Sequence, residues 1–488
     1  MNKNIGSYIG PRGYTLLKNE ISIECLKKIR ADLTVKPIMN PCAGPMAEQV
    51  KYPIYRESTS KIYMPIYYGI AEFGSPGSVL LPEGDDIDAG VVFVGKLREN
   101  QPDVVRRYLE ACRGNSWRCG GGLLDLPPAF GKTTLTLYIV AQLRKKTAVI
   151  VHQTFLGDQW KERIQQYLPN ARVGRIQGKT VDIEDKDIVI IMLQSLSMKD
   201  YDLSLFKSFG LLVVDEVHHI GSQVFSNALF TIVPRYTLGL SGTMDRKDGT
   251  THVIEKFLGP VIFKGARIVD YNMETRAIFY KTDDKDFNKV IYDFRGDVAY
   301  SSMISKLCSY IPRSEFILRI LKDLLKERPG KQIIILAHNK NLLTYLHDKI
   351  EERKIASVGY YIGGMKEEGR KESEGKNVII ATYSMAAEGL DIKTLSILIM
   401  ATPKSDIAQC VGRIKREIYD KHIVVDIIDP HPTFRNQWAK RRAFYKKEKY
   451  NIVYPVSKEA EAEEEEDEVE EEAEVEAPTI DISRFAKK

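Results

Sequence analysis

Two kinds of segment alternate along most of the chain between residues 89 and 452: near-continuous apolar runs, and segments with apolar residues at helical spacing. Near-continuous apolar runs, typical of strands buried on both faces of a sheet, occupy residues 147–151, 187–193 and 210–214. Segments with apolar side chains at helical spacing flank these runs, at residues 132–144 and 155–168. Strands that alternate with helices in this way predict a parallel α/β sheet over residues 89–268.

A second α/β pattern follows along the chain. Its predicted helices cover residues 315–327 and 342–352. Its predicted strands cover residues 332–337, 377–382 and 396–401. We interpret residues 269–305, which are less periodic and more charged, as a connector. The predicted fold class is therefore α/β, with parallel-sheet domains at 89–268 and 306–452. Two such units in tandem suggest a ligand-binding cleft between them.

Residues 1–88 are rich in Tyr, Pro and Gly and predict a small accessory α+β domain. Two interpretations of its aromatic and basic side chains stay open. They pack in a core with an amphipathic surface, which is the simpler interpretation, or they stack on and clamp a nucleic-acid strand. The residues concerned are Arg56, Lys61, Tyr63, Tyr67 and Tyr68.

The net charge of +5 conceals a contrast between the body of the chain and its C-terminal end. Residues 457–488 carry 14 acidic and 4 basic side chains, which leaves 52 acidic and 67 basic side chains in residues 1–456. A block of like charge with almost no aromatic residues predicts a disordered acidic tail at 453–488, either solvated or bound to a protein partner. The basic body, which includes a predicted basic helix at 435–449, is compatible with nucleic-acid binding.

Composition argues against several classes of protein. No apolar run reaches the roughly 18 residues of a membrane-spanning helix, so no membrane partner is expected. The first residues contain no apolar stretch of signal-peptide length. The six cysteines form no Cys-x-x-Cys pair, which argues against a zinc ribbon or a disulfide scaffold and fits a reducing, intracellular setting.

A candidate phosphate-binding loop lies between an apolar run and the predicted helix at 132–144. Its sequence over residues 126–134 is Leu-Pro-Pro-Ala-Phe-Gly-Lys-Thr-Thr. Backbone N–H groups at a helix N-terminus favour an anion, the lysine adds a positive charge, and a hydroxyl reaches Mg²⁺. The candidate phosphate-binding residues are Phe130, Gly131, Lys132, Thr133 and Thr134.

Two adjacent carboxylates, Asp215 and Glu216, follow another apolar run and precede His218. ATP hydrolysis requires one carboxylate that holds Mg²⁺ and another group that orients the attacking water. Because open α/β sheets bind ligands at the carboxyl ends of their strands, these two residues can supply both groups. The predicted Mg²⁺ ligands are Thr133 and Asp215.

A third candidate segment contains Gln409, Arg413 and Arg416, whose spacing places them on one face of a helix. An arginine that reaches a γ-phosphate across a cleft accelerates its transfer by about 10³–10⁵. A solvated basic helix would account for the arginines but not for the glutamine.

Taken together, Gly-Lys-Thr at 131–133, Asp-Glu-Val-His at 215–218 and Gln-Cys-Val-Gly-Arg-Ile-Lys-Arg at 409–416 resemble the superfamily 2 helicases. Weaker segments between residues 97 and 416 occur in the same order as in that superfamily. The resemblance implies two RecA-like domains that hydrolyse ATP with Mg²⁺. It also implies four catalytic residues, which are Glu216, Gln409, Arg413 and Arg416.

The resemblance assigns roles to further residues. Beyond the loop and Asp215, the implied ATP-contacting residues are Arg98, Gln101, His218, Gly389 and Asp391. The implied nucleic-acid contacts are His152, Gln153, Thr154, Gly178, Lys179, Gln194, Ser195 and Thr382. Ser241-Gly242-Thr243 resembles the motif that couples hydrolysis to movement.

Four segments narrow the resemblance to smaller groups of helicases. Residues 159–164 and 238–249 are similar to the branch that contains the DNA translocase of the eukaryotic transcription-repair machinery. The loop and residues 63–69 resemble helicases of nucleocytoplasmic large DNA viruses, including the poxviral transcript-release helicase. The loop also departs from the usual pattern, because Leu126 and Ala129 replace glycines and two prolines remove N–H groups.

The resemblance implies an ATP-dependent DNA helicase or translocase with little sequence preference, acting in viral transcription, replication or repair. Two alternatives stay open: an RNA helicase, and a catalytically weak helicase-fold scaffold in a transcription or virion complex. The expected setting is intracellular, in the host cytoplasm, a viral factory or the virion. Neither the polarity of movement nor the choice between unwinding and tracking follows from the sequence.

Overall fold

The computed structural model describes residues 6–37, 51–114, 119–127, 130–219, 223–242, 249–265, 272–388, 390, 392–415 and 419–455. The chain divides into two compact units, Met1–Arg267 and Ile268–Lys488. No helix in the described ranges is both long enough and apolar enough to cross a membrane. The predicted acidic tail lies almost entirely outside these ranges.

The first unit contains fifteen described strands and eight described helices. The strands are β1 (Ser7–Gly10), β2 (Gly13–Leu17), β3 (Thr34–Val35), β4 (Tyr52–Pro53), β5 (Arg56–Glu57), β6 (Lys61–Met64), β7 (Ser78–Val79), β8 (Gly120–Asp125), β9 (Thr147–Val151), β10 (Val173–Gln177), β11 (Thr180–Asp182), β12 (Ile188–Met192), β13 (Leu211–Val214), β14 (Tyr236–Ser241) and β15 (Val261–Lys264). The helices are α1 (Ile23–Asp32), α2 (Ile66–Phe73), α3 (Pro102–Arg113), α4 (Lys132–Leu143), α5 (Thr154–Tyr167), α6 (Leu193–Met198), α7 (Gln223–Thr231) and α8 (Thr251–Leu258).

The second unit contains seven described strands and eight described helices. The strands are β16 (Met273–Phe279), β17 (Gln332–Ala337), β18 (Val358–Tyr361), β19 (Val378–Thr382), β20 (Leu395–Met400), β21 (His422–Ile428) and β22 (Asn451–Val453). The helices are α9 (Lys285–Asn288), α10 (Tyr300–Ser309), α11 (Ile311–Glu327), α12 (Lys340–Glu352), α13 (Glu367–Glu374), α14 (Tyr383–Glu388), α15 (Ala408–Gly412) and α16 (Pro432–Lys447).

Each unit is built on a large sheet. In the first unit the strand order is β11-β10-β12-β9-β13-β14-β8-β15, and every pairing is parallel except β10 with β11. In the second unit the order is β18-β19-β17-β20-β21-β16-β22, and every pairing is parallel. All residues of β9, β12 and β13 are buried, because helices cover both faces of the sheet. The prediction of an α/β fold with parallel sheets is confirmed.

A smaller, mostly antiparallel sheet, of order β5-β6-β2-β1-β7, precedes the large sheet of the first unit. Its buried side chains, such as Tyr14 and Ile62, join the same hydrophobic core as Leu212 and Phe257 of the large-sheet region. The hydroxyl groups of Tyr67 on α2 and Thr237 on β14 are also hydrogen-bonded, at 3.1 Å. The N-terminal region therefore packs within the first unit.

The segment interpreted as a connector, residues 269–305, contains a strand of the second sheet. Strand β16 pairs in parallel with β21 over its whole length and with β22 on its other side. Its sequence lacks a continuous apolar run because Glu274 and Arg276 are partners in ion pairs, at 2.5 Å from Lys421 and 2.6 Å from Glu327, respectively. Charged side chains that are satisfied by partners distant in sequence concealed this strand.

Candidate functional site

The candidate phosphate loop connects β8 to α4 in the first unit. Pro128 and Ala129 lie outside the described residues, and Phe130 to Thr134 are half-buried. Gly131 precedes the first residue of α4 and has a φ of +87°, a left-handed conformation that favours glycine. This twelve-residue helix thus begins at Lys132, and the free backbone N–H groups of its first turn favour an anion.

Gln101 supports this loop from the segment before α3. Its side-chain amide nitrogen donates a hydrogen bond to the carbonyl oxygen of Phe130 at 2.8 Å, and its amide oxygen accepts one from the backbone N–H of Arg98 at 2.9 Å. Gln101 is 1% exposed. The structure therefore brings Arg98 and Gln101, two residues expected to contact ATP, to the predicted phosphate loop.

The adjacent carboxylates lie beside the loop lysine. Asp215 and Glu216 follow the carboxyl end of β13, and the Lys132 Nζ atom is 3.0 Å from the Glu216 Oε1 atom. Glu216 itself has a φ of +47°, which is unusual for a residue with a side chain. The structure thus brings Lys132 to the predicted carboxylates although Lys132 and Glu216 are 84 positions apart in sequence.

Asp215 has an altered acidity. Burial of its carboxyl group and the neighbouring charge of Glu216 raise the pKa of Asp215, while Lys132 and a hydrogen bond from Trp160 oppose that rise. The Trp160 indole donates to the Asp215 Oδ2 atom at 2.9 Å. A raised folded-state pKa means that this group's stabilising contribution is complete below its ordinary pKa and is lost as the pH rises through the raised value.

His218 connects the carboxylates to the end of the next strand. Its Nδ1 atom is 3.4 Å from the Glu216 Oε2 atom and 3.2 Å from the hydroxyl oxygen of Ser241, the last residue of β14. Thr243 lies outside the described residues. The predicted coupling motif therefore begins within hydrogen-bonding reach of His218, which in turn lies beside Glu216.

The side chains at this site fit Mg²⁺ bound together with a nucleotide. No group of three or more His, Cys, Asp or Glu residues in the described ranges could hold a metal ion by itself. Mg²⁺ is commonly held by one or two carboxylates and by oxygens of substrate phosphates, and it keeps several waters. Asp215 and the hydroxyl group of Thr133 are the side chains at the site that suit this arrangement.

The predicted nucleic-acid contacts of the first unit form a second cluster at the ends of β9, β10 and β12. The Gln194 side chain donates to the carbonyl oxygen of His152 at 2.7 Å, and the backbone N–H of Gly178 donates to the hydroxyl oxygen of Ser195 at 2.9 Å. The structure thus brings together segments separated by 17 to 42 positions. The remaining members lie within these segments: Gln153, Thr154 and Lys179.

In the second unit, Thr382 ends β19 and is half-buried. Gln409 lies on α15, and Arg413 follows it and donates to the carbonyl oxygen of Leu390 at 3.1 Å. The structure therefore holds Arg413 against the segment after α14. The other predicted residues of this unit lie outside the described residues: Gly389, Asp391 and Arg416.

The sequence did not reveal two side-chain contacts, one made by Trp160 in the first unit and one made by His338 in the second. Trp160 is 2% exposed, and its position two turns into α5 gave no sign that its indole reaches Asp215. His338 follows β17, and its Nδ1 atom lies 2.8 Å from the hydroxyl oxygen of Thr402. Burial and the nearby charge of Lys404 lower the pKa of His338 to about 4. A single tryptophan and a single histidine carry no spacing pattern.

Two family models match the chain, one in each unit. Residues 95–246 match the type III restriction enzyme, res subunit, and residues 317–418 match the helicase conserved C-terminal domain. The first range contains the candidate phosphate loop and both clusters of the first unit. The second range contains Thr382, Gln409 and Arg413.

Relatives that match two thirds or more of the chain occur in large DNA viruses. A protein of Acanthamoeba polyphaga mimivirus is 34% identical over 93% of this chain and 87% of its own length. A protein of African swine fever virus is 28% identical over 67% of this chain and 69% of its own length. Both carry the name "Putative ATP-dependent RNA helicase".

Among solved structures, a single-residue variant of S. cerevisiae Dbp5 bound to RNA and ADP BeF3 is similar in fold. It matches with a TM-score of 0.52 and 13% identity, and the match covers 76% of this chain and 92% of that chain. At this identity the likeness concerns the fold alone. It confirms the prediction of two RecA-like domains.

Proposed function

Because the chain belongs to the superfamily 2 helicases of large DNA viruses, we propose that its nucleoside triphosphatase drives movement along DNA. In this proposal ATP is the nucleotide, its phosphates bind at Gly131–Thr134, and Thr133 and Asp215 would hold Mg²⁺. Glu216 orients the attacking water. Arg413 and Arg416 are proposed to stabilise the charge on the γ-phosphate, and Gln409 is the remaining proposed catalytic residue.

One observation supports the nucleotide site most directly, namely the pairing of Lys132 with Glu216 beside the half-buried Asp215. The ion pair holds the lysine at the mouth of the phosphate loop and balances one of two adjacent negative charges. An incoming triphosphate competes for the same ammonium group. Lys132 therefore exchanges a carboxylate for phosphate oxygens, and this exchange frees Glu216 to orient water.

The second cluster supports a track for a nucleic-acid backbone. Backbone N–H groups and small polar side chains at the ends of β9, β10 and β12 suit phosphate oxygens, which carry no sequence information. We therefore expect little sequence preference and a steep loss of affinity with salt. The high proportion of basic residues in 1–456 agrees with this proposal.

The proposal is tested by measuring ATP hydrolysis without nucleic acid and with single-stranded DNA, duplex DNA or RNA. DNA should stimulate turnover, and Lys132→Ala should lower it by about 10²-fold or more because the loop loses its positive charge. Lys207→Ala, which removes an exposed lysine of the same unit, is the matched control. Full turnover in Lys132→Ala would refute the site, and no turnover of the native protein under any condition would favour a scaffold.

A motor that moves along RNA is the second candidate, favoured by the name that the two viral relatives share. The same four-substrate assay separates the candidates. Stimulation by RNA that exceeds stimulation by either form of DNA would replace the DNA track with an RNA track and leave the nucleotide site unchanged.

A further inference from the structure

The N-terminal sheet has one face that does not enter the core. Ile9, Tyr14, Leu16, Ile62 and Met64 are all buried at 0% exposure on the opposite face. A single cross-strand row on the outer face contains Tyr8, Thr15, Tyr63 and Arg56, which are direct partners on β1, β2, β6 and β5. The two tyrosines are half-buried, and the small Thr15 between them is 1% exposed.

Cations lie against both rings of this row. The Arg12 guanidinium is 5.2 Å from the centre of the Tyr63 ring, and the Lys61 ammonium is 5.3 Å from the centre of the Tyr8 ring. Lys61 also donates to the Tyr8 hydroxyl oxygen at 3.0 Å. Both distances are within the range of cation–π attraction.

These cations differ from their neighbours in their partners. Lys18 and Arg30 form ion pairs with Glu57, and Lys28 forms one with Glu72. Arg12, Lys61 and Arg56 form no ion pair with a carboxylate within the described part of the chain. The Arg56 guanidinium also lies 4.9 Å from the centre of the Phe230 ring. Because a cation–π contact does not neutralise a charge, all three positive charges are available to an anionic partner.

The structure separates the five residues whose role the sequence left open. Tyr68 is 6% exposed and donates to the Asp32 carboxylate, and the Tyr67 hydroxyl group bonds to Thr237. Burial raises the pKa of both tyrosines. These two belong to the core, whereas Arg56, Lys61 and Tyr63 lie on the outer face. Arg12 and Tyr8 join them there.

We propose that this outer face binds single-stranded nucleic acid, with bases stacked on Tyr8 and Tyr63 and phosphates bound by Arg12, Lys61 and Arg56. Strands in a sheet lie about 4.8 Å apart, so the two tyrosines, two strands apart, are separated by roughly 10 Å. That separation suits two unstacked bases of an extended strand. Rings stack on any base, and an arginine plane adds a further stacking surface.

This surface is distinct from the proposed track on the large sheet and requires no ATP. The test measures binding of labelled oligo-dT and oligo-U, each of about 12 nucleotides, to the full chain without nucleotide. Tyr63→Ala should weaken binding about fivefold or more, because a base stack is lost. Tyr63→Phe should retain binding because the ring remains. Tyr292→Ala, which removes a tyrosine 61% exposed in the second unit, should change nothing.

The charges are tested through the salt dependence of the same binding. Lys61→Ala and Arg12→Ala should each reduce the slope of log affinity against log salt by about 0.7, whereas Lys27→Ala on α1 should leave it unchanged. Unchanged affinity in Tyr63→Ala and in Tyr8→Ala would overturn the proposal. If Tyr63→Ala weakened binding to duplex DNA as much as binding to the single strand, the proposal would also be overturned, because paired bases cannot stack on the rings.

The comparison of oligo-dT with oligo-U identifies the source of the strand, and tighter binding of either supports the surface. Binding should persist in Lys132→Ala, which removes the proposed ATP function. A failure of the motor proposal therefore leaves this result readable, and loss of binding in Lys132→Ala would place the strand elsewhere.

Discussion

At the scale of single residues, Gly131 is a position where the backbone leaves little choice. Its φ of +87° disfavours any residue with a side chain, at a cost of about 1–2 kcal/mol. A Cβ atom there would lie 2.7 Å from the Gln101 amide nitrogen, which is held by its hydrogen bond to Phe130. We predict that Gly131→Ala weakens ATP binding about tenfold, measured by nucleotide titration.

The control for this prediction is Gly330→Ala. Gly330 has a φ of +76°, but a Cβ atom there would meet no atom within 4 Å. This variant isolates backbone strain without a clash and should retain normal ATP affinity. Equal ATP affinity of the Gly131→Ala variant and the native protein would show that the loop does not need its left-handed turn.

A second prediction at this scale concerns the pH dependence of turnover. In the proposed site Asp215 must be ionised to hold Mg²⁺, and the hydrogen bond from Trp160 favours its ionised form. Trp160→Phe removes that donor, so the pKa of Asp215 should rise further and the acid limb of the kcat/KM profile should move to higher pH. Loss of a hydrogen bond to a charged group lowers the free energy of unfolding by about 1.5–3 kcal/mol.

Trp438→Phe, which shortens a buried indole of the second unit, provides the matched comparison. Its acid limb should coincide with that of the native protein. If Trp160→Phe lowers turnover equally at all pH values, the indole serves only to fill space.

At the scale of elements, a buried ion pair connects α11 to the end of β21. The Arg313 Nε atom and the Asp429 Oδ1 atom are 2.6 Å apart and both side chains are 0% exposed, while Arg313 also donates to the Ala401 carbonyl oxygen. Arg313→Met should destabilise the second unit by about 3–5 kcal/mol, because it leaves a buried carboxylate without its partner. Urea unfolding, followed by hydrogen exchange in α11 and β21, measures this loss.

A more exposed ion pair of α11 provides the control. Glu315 pairs with Arg353 at 2.6 Å, but both side chains are about one-third exposed, so Arg353→Met should cost less than about 1 kcal/mol. The double variant Arg313→Met and Asp429→Leu should recover most of the stability because no charge remains buried. A double variant as unstable as Arg313→Met would show that packing, not charge, dominates there.

The elements also show how far sequence reasoning reaches. Periodicity predicts buried strands such as β12 and the amphipathic helix α12. The sequence also identified Lys132, Asp215 and Glu216 as candidate site residues, because they follow the apolar runs that form β8 and β13. Periodicity could not reveal β16, whose charges are balanced by Lys421 and Glu327. It could not reveal contacts made by one side chain either, because the Trp160–Asp215 hydrogen bond depends on two elements that are 55 positions apart.

At the scale of the whole molecule, charge is distributed unevenly along the chain. Residues 1–456 carry 67 basic and 52 acidic side chains, whereas residues 457–488 carry 4 and 14. The basic body suits both the proposed track and the proposed N-terminal surface. A linked polyanion of this size competes with nucleic-acid phosphates for the same cations, because linkage gives it a high effective concentration. The acidic segment should therefore weaken binding to nucleic acid.

We predict that a chain ending at residue 455 binds single-stranded DNA more tightly than the full chain at low salt. We expect a gain of about threefold to tenfold near 50 mM salt, and a smaller gain near 200 mM because ions screen the competition. Fluorescence anisotropy of a labelled oligonucleotide measures both. A full-length variant with Gln in place of the Glu residues at 459–476 keeps the length and removes the charge, so it should bind like the shortened chain. If only the shortened chain gains affinity, the segment obstructs binding by its bulk, and the electrostatic argument is wrong.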